Sequence, residues 1–193
     1  MNRRDALVLL GGTAAAPLLA GLAPGQLRAA GRSAHARARD RALQVLDPHQ
    51  SETVATIAEI IIPETDTPGA GAAKVHEFVD VLLAEWYDEQ DRARFLDGLA
   101  DVNARCRDTF GADFLGCTAA QRTAIVAGLD AEVAALRAAN AKPGEHFFSR
   151  MKWLTLYGYF TSEVGMTQEL RWQVIPGAYD GCAERPQPAP GGF

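Results

Sequence analysis

The sequence predicts an all-α fold, an irregular bundle of about five helices with an N-terminal signal segment and a Pro/Gly-rich C-terminal tail. Apolar residues recur at intervals of three and four over most of residues 51–175, the period of a helix with one apolar face. Segments with proline and glycine separate these periodic stretches. No stretch of useful length alternates apolar and polar residues as a strand would. The 193 residues are enough for one helical core behind a leader.

The first three helices follow from apolar spacing and from helix-stop residues. The first begins at the candidate N-cap Ser51 and ends at Pro63. The second starts near residues 70–74, and the third runs from about residue 89 to residue 107, each with one apolar face. The loop PETDTPGAGAA, residues 63–73, separates the first two helices, and its prolines and glycines favour a tight turn.

A helix cap and two segments rich in proline or glycine place the remaining helices and the tail. Thr118 is a candidate cap for a fourth helix that ends near residues 141–144. A fifth helix covers about residues 145–165, and a short helix follows at residues 167–172. The tail, residues 176–193, contains too much proline and glycine for regular structure.

The fifth helix concentrates aromatic residues in the segment FFSRMKWLTLYGYFTSEVGMTQELRW, residues 147–172. At 100° per residue, its apolar side chains spread almost all the way round the helix axis. Such a helix is either central in its own bundle or covered on one face by another protein. For the second alternative, the candidate anchors are large apolar side chains. They are Phe148, Trp153, Leu156, Tyr157, Tyr159, Phe160 and, in the tail, Tyr179.

The N-terminus resembles an export signal. Arg3 and Arg4 precede an uncharged run over residues 6–23. With Leu7, the paired arginines resemble the twin-arginine (Tat) signal, which implies export to the periplasm. Three positions depart from the usual pattern of such signals: Asn2, Ala6 and Val8. Glycines and a proline weaken the run as a membrane span, and an uncut N-terminal anchor helix is the alternative.

Three alanines are candidate positions for cleavage of the signal peptide. They are Ala20, Ala23 and Ala36. Cleavage after the last of these fits the best small-x-small triplet. The predicted organisation is then a signal peptide and spacer (1–36), a linker (37–50), a helical domain (51–175) and an irregular tail (176–193).

Charge and cysteine content limit the partners of the chain. A formal net charge of −5 and a pI near 5.4 argue against a protein that tracks nucleic-acid phosphates. Three cysteines occur in a chain predicted to enter an oxidising compartment: Cys106, Cys117 and Cys182. Cys106 and Cys117 can pair across a turn and leave Cys182 to bond a second chain; three unpaired thiols are the alternative.

No catalytic, cofactor-binding or metal-binding motif is predicted. The chain contains no GxGxxG after a strand, no P-loop, no GxSxG and no CxxC. The acidic residues Glu59, Glu64, Asp66 and Glu77 lie close in sequence, and solvated helix faces explain them most simply. His76 stands alone at a helix start, as a surface or capping histidine does. A stand-alone exported enzyme or ligand-binding protein with a site at residues 59–77 is the alternative.

Three segments carry a resemblance to a known family: IAEIIIPETDTPGAGAAKVHEFVDVLL (57–83), FFSRMKWLTLYGYFTSEVG (147–165) and PGAYDGC (176–182). Together they resemble the small subunit (subunit 3 or gamma) of gluconate 2-dehydrogenase and of related membrane-associated flavin-dependent sugar dehydrogenases. The resemblance spans nearly the whole chain after the leader. Neither the TDTPGA loop nor the LTLYGYFTSEVG run is a catalytic signature.

The resemblance implies a non-catalytic subunit without a cofactor of its own. The expected partners are an FAD-carrying large subunit of the glucose–methanol–choline type, a multihaem cytochrome c and the Tat translocon. In this expectation the chain binds the flavoprotein, supports its folding and export on its own signal, and stays peripheral to the inner membrane through its partners. The rings of the fifth helix would then pack the bundle on one side and the flavoprotein on the other. Cys182 would add a covalent bond to that partner.

Overall fold

The computed structural model describes residues 24–38 and 42–172, and this part of the chain is helical without a strand, which confirms the all-α prediction. Its α-helices are α1 (Pro24–Ala38), α2 (Pro48–Ile61), α3 (Val75–Glu85), α4 (Glu89–Phe110), α5 (Ala119–Ala138) and α6 (Phe147–Thr161). A 3-10 turn at Pro143–Glu145 precedes α6, and a π-helical turn at Gly165–Glu169 follows it. Across these described ranges, no helix combines the length and the apolar character needed to cross a membrane.

Local capping signals set where the helices begin. Thr118 caps α5 through a capping box, as predicted. The N-cap of α2 is Asp47, whose carboxylate accepts the N–H of Gln50 at 2.7 Å, and Pro48 occupies the first helical position. The prediction of Ser51 as the cap was wrong because the stronger signal lies one turn earlier, and Ser51 is buried inside the helix.

Helix α6 lies at the centre of the bundle. It contacts each of the five other α-helices of the described chain. Its side chains supply several of the largest residues of the core, including Phe148, Met151, Leu154 and Tyr159. The apolar character on every side of α6 therefore reflects a helix that is surrounded by its own domain.

Helix α1 is the element that the sequence analysis missed, since residues 24–38 were assigned to the spacer and linker. Its sequence, PGQLRAAGRSAHARA, contains a single large apolar residue, Leu27, so it has no strong apolar stripe. Packing instead uses small side chains: Gly31 and Ala34 are buried where α1 contacts α3 and α6. Tertiary contacts thus fix a helix that periodicity alone could not reveal.

Asp80 fixes the path of the chain that leads into α2. This residue of α3 is 2% exposed. Its carboxylate accepts the backbone N–H groups of Gln44, Val45 and Leu46 at 2.8, 2.9 and 2.8 Å. A buried carboxylate is tolerated when such donors replace its water shell. Asp80 therefore ties the segment between α1 and α2 to the middle of α3.

Replacing Asp80 with asparagine should destabilise the domain. The amide keeps the shape of the carboxylate but loses its charge and one acceptor oxygen, so at least one of the three backbone N–H groups loses its partner. We expect a loss of about 1–3 kcal/mol in the free energy of unfolding, measured by urea denaturation. Asp97→Asn on the exposed face of α4 is the matched control and should change stability little. Equal stabilities of Asp80→Asn and Asp97→Asn would contradict the role given to Asp80.

Candidate functional site

The aromatic residues predicted to contact a partner lie mostly in the core. The buried members are Phe148 (2% exposed), Trp153 (5%), Leu156 (4%), Tyr157 (5%) and Tyr159 (2%). Of the two alternatives left open for this helix, the structure shows a helix central in its own bundle, because the surrounding helices cover these five side chains. Their contact with a partner stays a prediction. Phe160 is half-buried. Tyr179 lies outside the described residues, as do the predicted signal residues Arg3, Arg4 and Leu7.

Two tyrosine hydroxyls on α6 connect it to distant parts of the chain. The hydroxyl of Tyr157 donates to the backbone carbonyl of Leu27 in α1 at 2.9 Å. The hydroxyl of Tyr159 donates to the carbonyl of Pro68 in the TDTPGA loop at 2.7 Å. Each ring is packed in the core while its polar end meets a backbone group, so both hydroxyls are satisfied although buried. The tyrosines thereby set the positions of α1 and of the loop relative to α6.

The TDTPGA loop is held from the other side by Glu59 of α2. One oxygen of its carboxylate accepts the N–H of Glu64 at 2.8 Å, and the other accepts the N–H of Gly71 at 2.7 Å. Gly69 packs against this carboxylate, and a Cβ added there would lie 2.6 Å from the Glu64 nitrogen. The loop is therefore closed around Glu59, and glycine is required where backbone and carboxylate meet.

The alternative acidic site at residues 59–77 has a structural explanation. Both oxygens of Glu59 are engaged by backbone N–H groups of the loop. Glu64 and Asp66 are exposed, and His76 is half-buried on α3. Among the residues that the structure describes, no group of three or more His, Cys, Asp or Glu side chains could hold a metal ion. The loop geometry thus accounts for Glu59 without assigning it to catalysis.

The two described cysteines are buried free thiols. Cys106 on α4 is 0% exposed, and Cys117, just before α5, is 4% exposed. The thiol of Cys117 lies 3.9 Å from the backbone carbonyl oxygen of Ala112. Burial, together with the adjacent Cys117, raises the pKa of the Cys106 thiol to about 11. Their pairing as a disulfide stays a prediction. Cys182 lies outside the described residues.

The fold and its contacts give the structural class of the protein, and the sequence match gives its family. The described chain is an all-α protein in which an aromatic central helix and a clamped loop organise the packing. The family model for gluconate 2-dehydrogenase subunit 3 matches residues 48–177, from the start of α2 to beyond the last described residue. The chain belongs to this family, which makes it a subunit of a gluconate 2-dehydrogenase-type complex. Searches of curated proteins and of solved structures found no match.

Adding a methyl group at Gly69 should open the loop clamp. In Gly69→Ala the new Cβ would overlap the Glu59 carboxylate and the Glu64 backbone, so the loop must shift. We expect a loss of about 1–3 kcal/mol in unfolding free energy, the usual cost of overpacking.

Gly128→Ala is the matched control for Gly69→Ala. This glycine lies within α5, and an added Cβ would meet nothing within 4 Å. Since alanine favours the helix, the control should gain about 0.5–1 kcal/mol. Denaturation curves of both variants should therefore move in opposite directions. A Gly69→Ala variant as stable as the parent would show that the loop is not closed as described.

Tyr157 should make stability fall at high pH. Burial raises the pKa of its phenol to about 12 from 10.0, because the core disfavours the charged phenolate. Its contribution is fully present below pH 10 and is lost as the pH rises from about 10 towards 12, since the unfolded chain ionises first. The unfolding free energy of Tyr157→Phe, measured between pH 9 and 11, should therefore decline less than that of the parent. Equal declines would contradict the assignment.

Proposed function

We propose that this chain is the non-catalytic small subunit of a periplasmic, membrane-associated FAD-dependent sugar or sugar-acid dehydrogenase. It binds the flavoprotein subunit and supports that subunit's folding, stability and export through the Tat translocon. Electrons from the flavin pass to a multihaem cytochrome c, a further subunit of the same complex. In this proposal the partner subunits carry FAD and haem, and this chain binds the flavoprotein subunit.

The observation that carries the proposal is the family match over residues 48–177. The matched region spans α2 to α6 and the loop clamped by Glu59 and Tyr159, so it covers the folded domain that a partner would meet. The family description names a subunit, and a subunit acts through contacts with other chains. The formal net charge of −5 also fits a protein partner better than a nucleic acid, because nucleic-acid binding needs a basic surface.

The leader supports the export part of the proposal. A twin-arginine signal serves cargo that folds before it crosses the membrane, and a flavoprotein must fold around FAD to retain it. Arg3 and Arg4 on the small subunit would therefore direct both chains when the two are bound.

The burial of α6 reduces the number of predicted interface residues that a partner can reach directly. Phe160, which is half-buried, and Tyr179 in the tail stay candidates for direct contact. The five buried residues of α6 could contact a partner only where another part of this chain moves away. Cys182 keeps its proposed role as an intersubunit disulfide partner.

Co-expression with an FAD-dependent sugar dehydrogenase subunit from the same organism tests the proposal. The two chains should elute as one complex, and omission of the small subunit should leave the flavoprotein insoluble or cytoplasmic. In the double variant Arg3→Lys and Arg4→Lys, both proteins should stay in the cytoplasm, as measured by immunoblots of cell fractions.

The matched control for the arginine pair is Arg28→Lys with Arg32→Lys. These exposed residues of α1 undergo the same change outside the paired motif, so export should continue. Export that is indifferent to Arg3 and Arg4 would overturn the Tat route. Separate elution of the two chains, or turnover of sugar acids by the isolated small subunit, would overturn the subunit function itself.

A further inference from the structure

Helix α1 packs on the domain at the place where α3 and α6 meet. Its contact with α3 is the most extensive between two helices of the described chain, and it contacts α6 as well. Gly31 and Ala34 are buried in this contact, and Ala34 is 0% exposed. A Cβ built on Gly31 would lie 2.6 Å from the Cβ of Thr161, so the backbone of α1 lies directly against α6. Helix α1 is therefore a closely packed element of the domain.

Aromatic and polar contacts fix α1 near both of its ends. Near its start, the carbonyl of Leu27 accepts the hydroxyl of Tyr157 at 2.9 Å. Near its end, the His35 ring stacks on Phe78 of α3 with centroids 4.5 Å apart, and its Nε2–H donates to the carbonyl of Gly158 at 2.8 Å. Phe78 is 0% exposed and Tyr157 is 5% exposed. Removal of α1 would bring both rings into contact with water, which destabilises a folded domain.

The best small-x-small triplet of the leader lies inside this packed helix. A signal peptidase reads two small residues, which are Ala34 and Ala36 here, with His35 between them. Proteases cut exposed and loosely held segments most readily. In this triplet the backbone is helical, Ala34 has no exposed surface, and the His35 ring is held against Phe78. The fold therefore closes the triplet to a peptidase once α1 has packed.

The order of folding and export decides which state of the triplet a peptidase meets. In the proposed function, the chain folds with its flavoprotein and then crosses the membrane through the Tat translocon. Helix α1 has then packed before the leader reaches a peptidase. Two other candidate positions, Ala20 and Ala23, lie upstream of α1, which begins at Pro24. A cut after either of them leaves all the contacts of α1 in place.

We propose that α1 is a permanent part of the exported subunit, and that the leader is not cut after Ala36. The mature chain starts at or before Pro24, whether the peptidase cuts after Ala20 or Ala23 or leaves the leader uncut. The inference rests on the export part of the proposed function. It also extends the functional domain upstream of the family match, which begins at residue 48, to the start of α1.

The N-terminus of the exported chain tests the processing. The chain is co-expressed with the flavoprotein subunit, purified from the periplasmic fraction through a C-terminal affinity tag, and measured by intact-mass spectrometry. We expect a chain that starts within residues 1–24 and contains the whole of α1. A chain that starts at Arg37, or at any other residue after Pro24, would overturn the inference.

Gly31→Leu tests, without any export, whether α1 belongs to the domain. The leucine side chain would collide with Thr161, so α1 cannot keep its place without a shift. We expect the Tm of the purified full-length chain to fall by roughly 3–10 °C, from the cost of overpacking. Ala29→Leu is the matched control, because Ala29 is exposed on the same helix, and it should change the Tm little.

His35→Ala keeps the test decisive if Gly31→Leu fails to fold. This change removes the stacking on Phe78 and the hydrogen bond to Gly158 without adding bulk. Its Tm should lie about 2–6 °C below that of Arg32→Ala, which truncates an exposed residue of the same helix.

The outcomes separate the inference from the proposed function. If both α1 variants melt at the temperatures of their controls, α1 contributes nothing to the fold and the inference is overturned. If the exported chain starts at Arg37 and still elutes with the flavoprotein, the inference fails and the subunit function stands. If the chain stays in the cytoplasm or elutes apart from the flavoprotein, the proposed function fails, and the Tm values alone decide whether α1 belongs to the domain.

Discussion

The burial of α6 is the constraint on which the rest of the structure depends. Each of the other five described α-helices packs against it, and its rings fill the space between them. Full burial of one such side chain contributes about 1.5–3 kcal/mol. The polar ends of its tyrosines then select partners, since Tyr159 fixes the loop at Pro68 and Tyr157 fixes α1 at Leu27. One helix therefore positions both the clamped loop and α1.

Much of the fold could be predicted from the sequence because the signals were local. Apolar spacing marked α2 to α6, and the capping box at Thr118 identified the start of α5. The cap of α2 was misplaced because two candidate residues, Asp47 and Ser51, lie one turn apart. Helix α1 could not be predicted, because its packing depends on the absence of side-chain bulk at Gly31 and on groups far away in sequence.

The candidate site was harder to predict than the fold. Aromatic composition indicates a large buried surface, but it does not distinguish burial by the same chain from burial by a partner. The structure resolves this for Trp153 and Tyr159, which lie in the core of the free chain. Tyr157 also lies in the core of the free chain, where its hydroxyl donates to Leu27 of α1. The role of Asp80 was also missed, because a lone acidic residue in an apolar helix gives no sign of three backbone donors brought to it by the fold.

Hydrogen–deuterium exchange of the full-length chain tests the burial of α6 most directly. Local opening governs amide exchange, so each helix reports separately. The amides of α6 should exchange more slowly than those of α5, because the five other described α-helices cover α6, whereas α5 buries only Val126, Leu129 and Val133. Exchange of α6 as fast as that of α5 would contradict the account, because α6 would then not lie at the centre of the bundle.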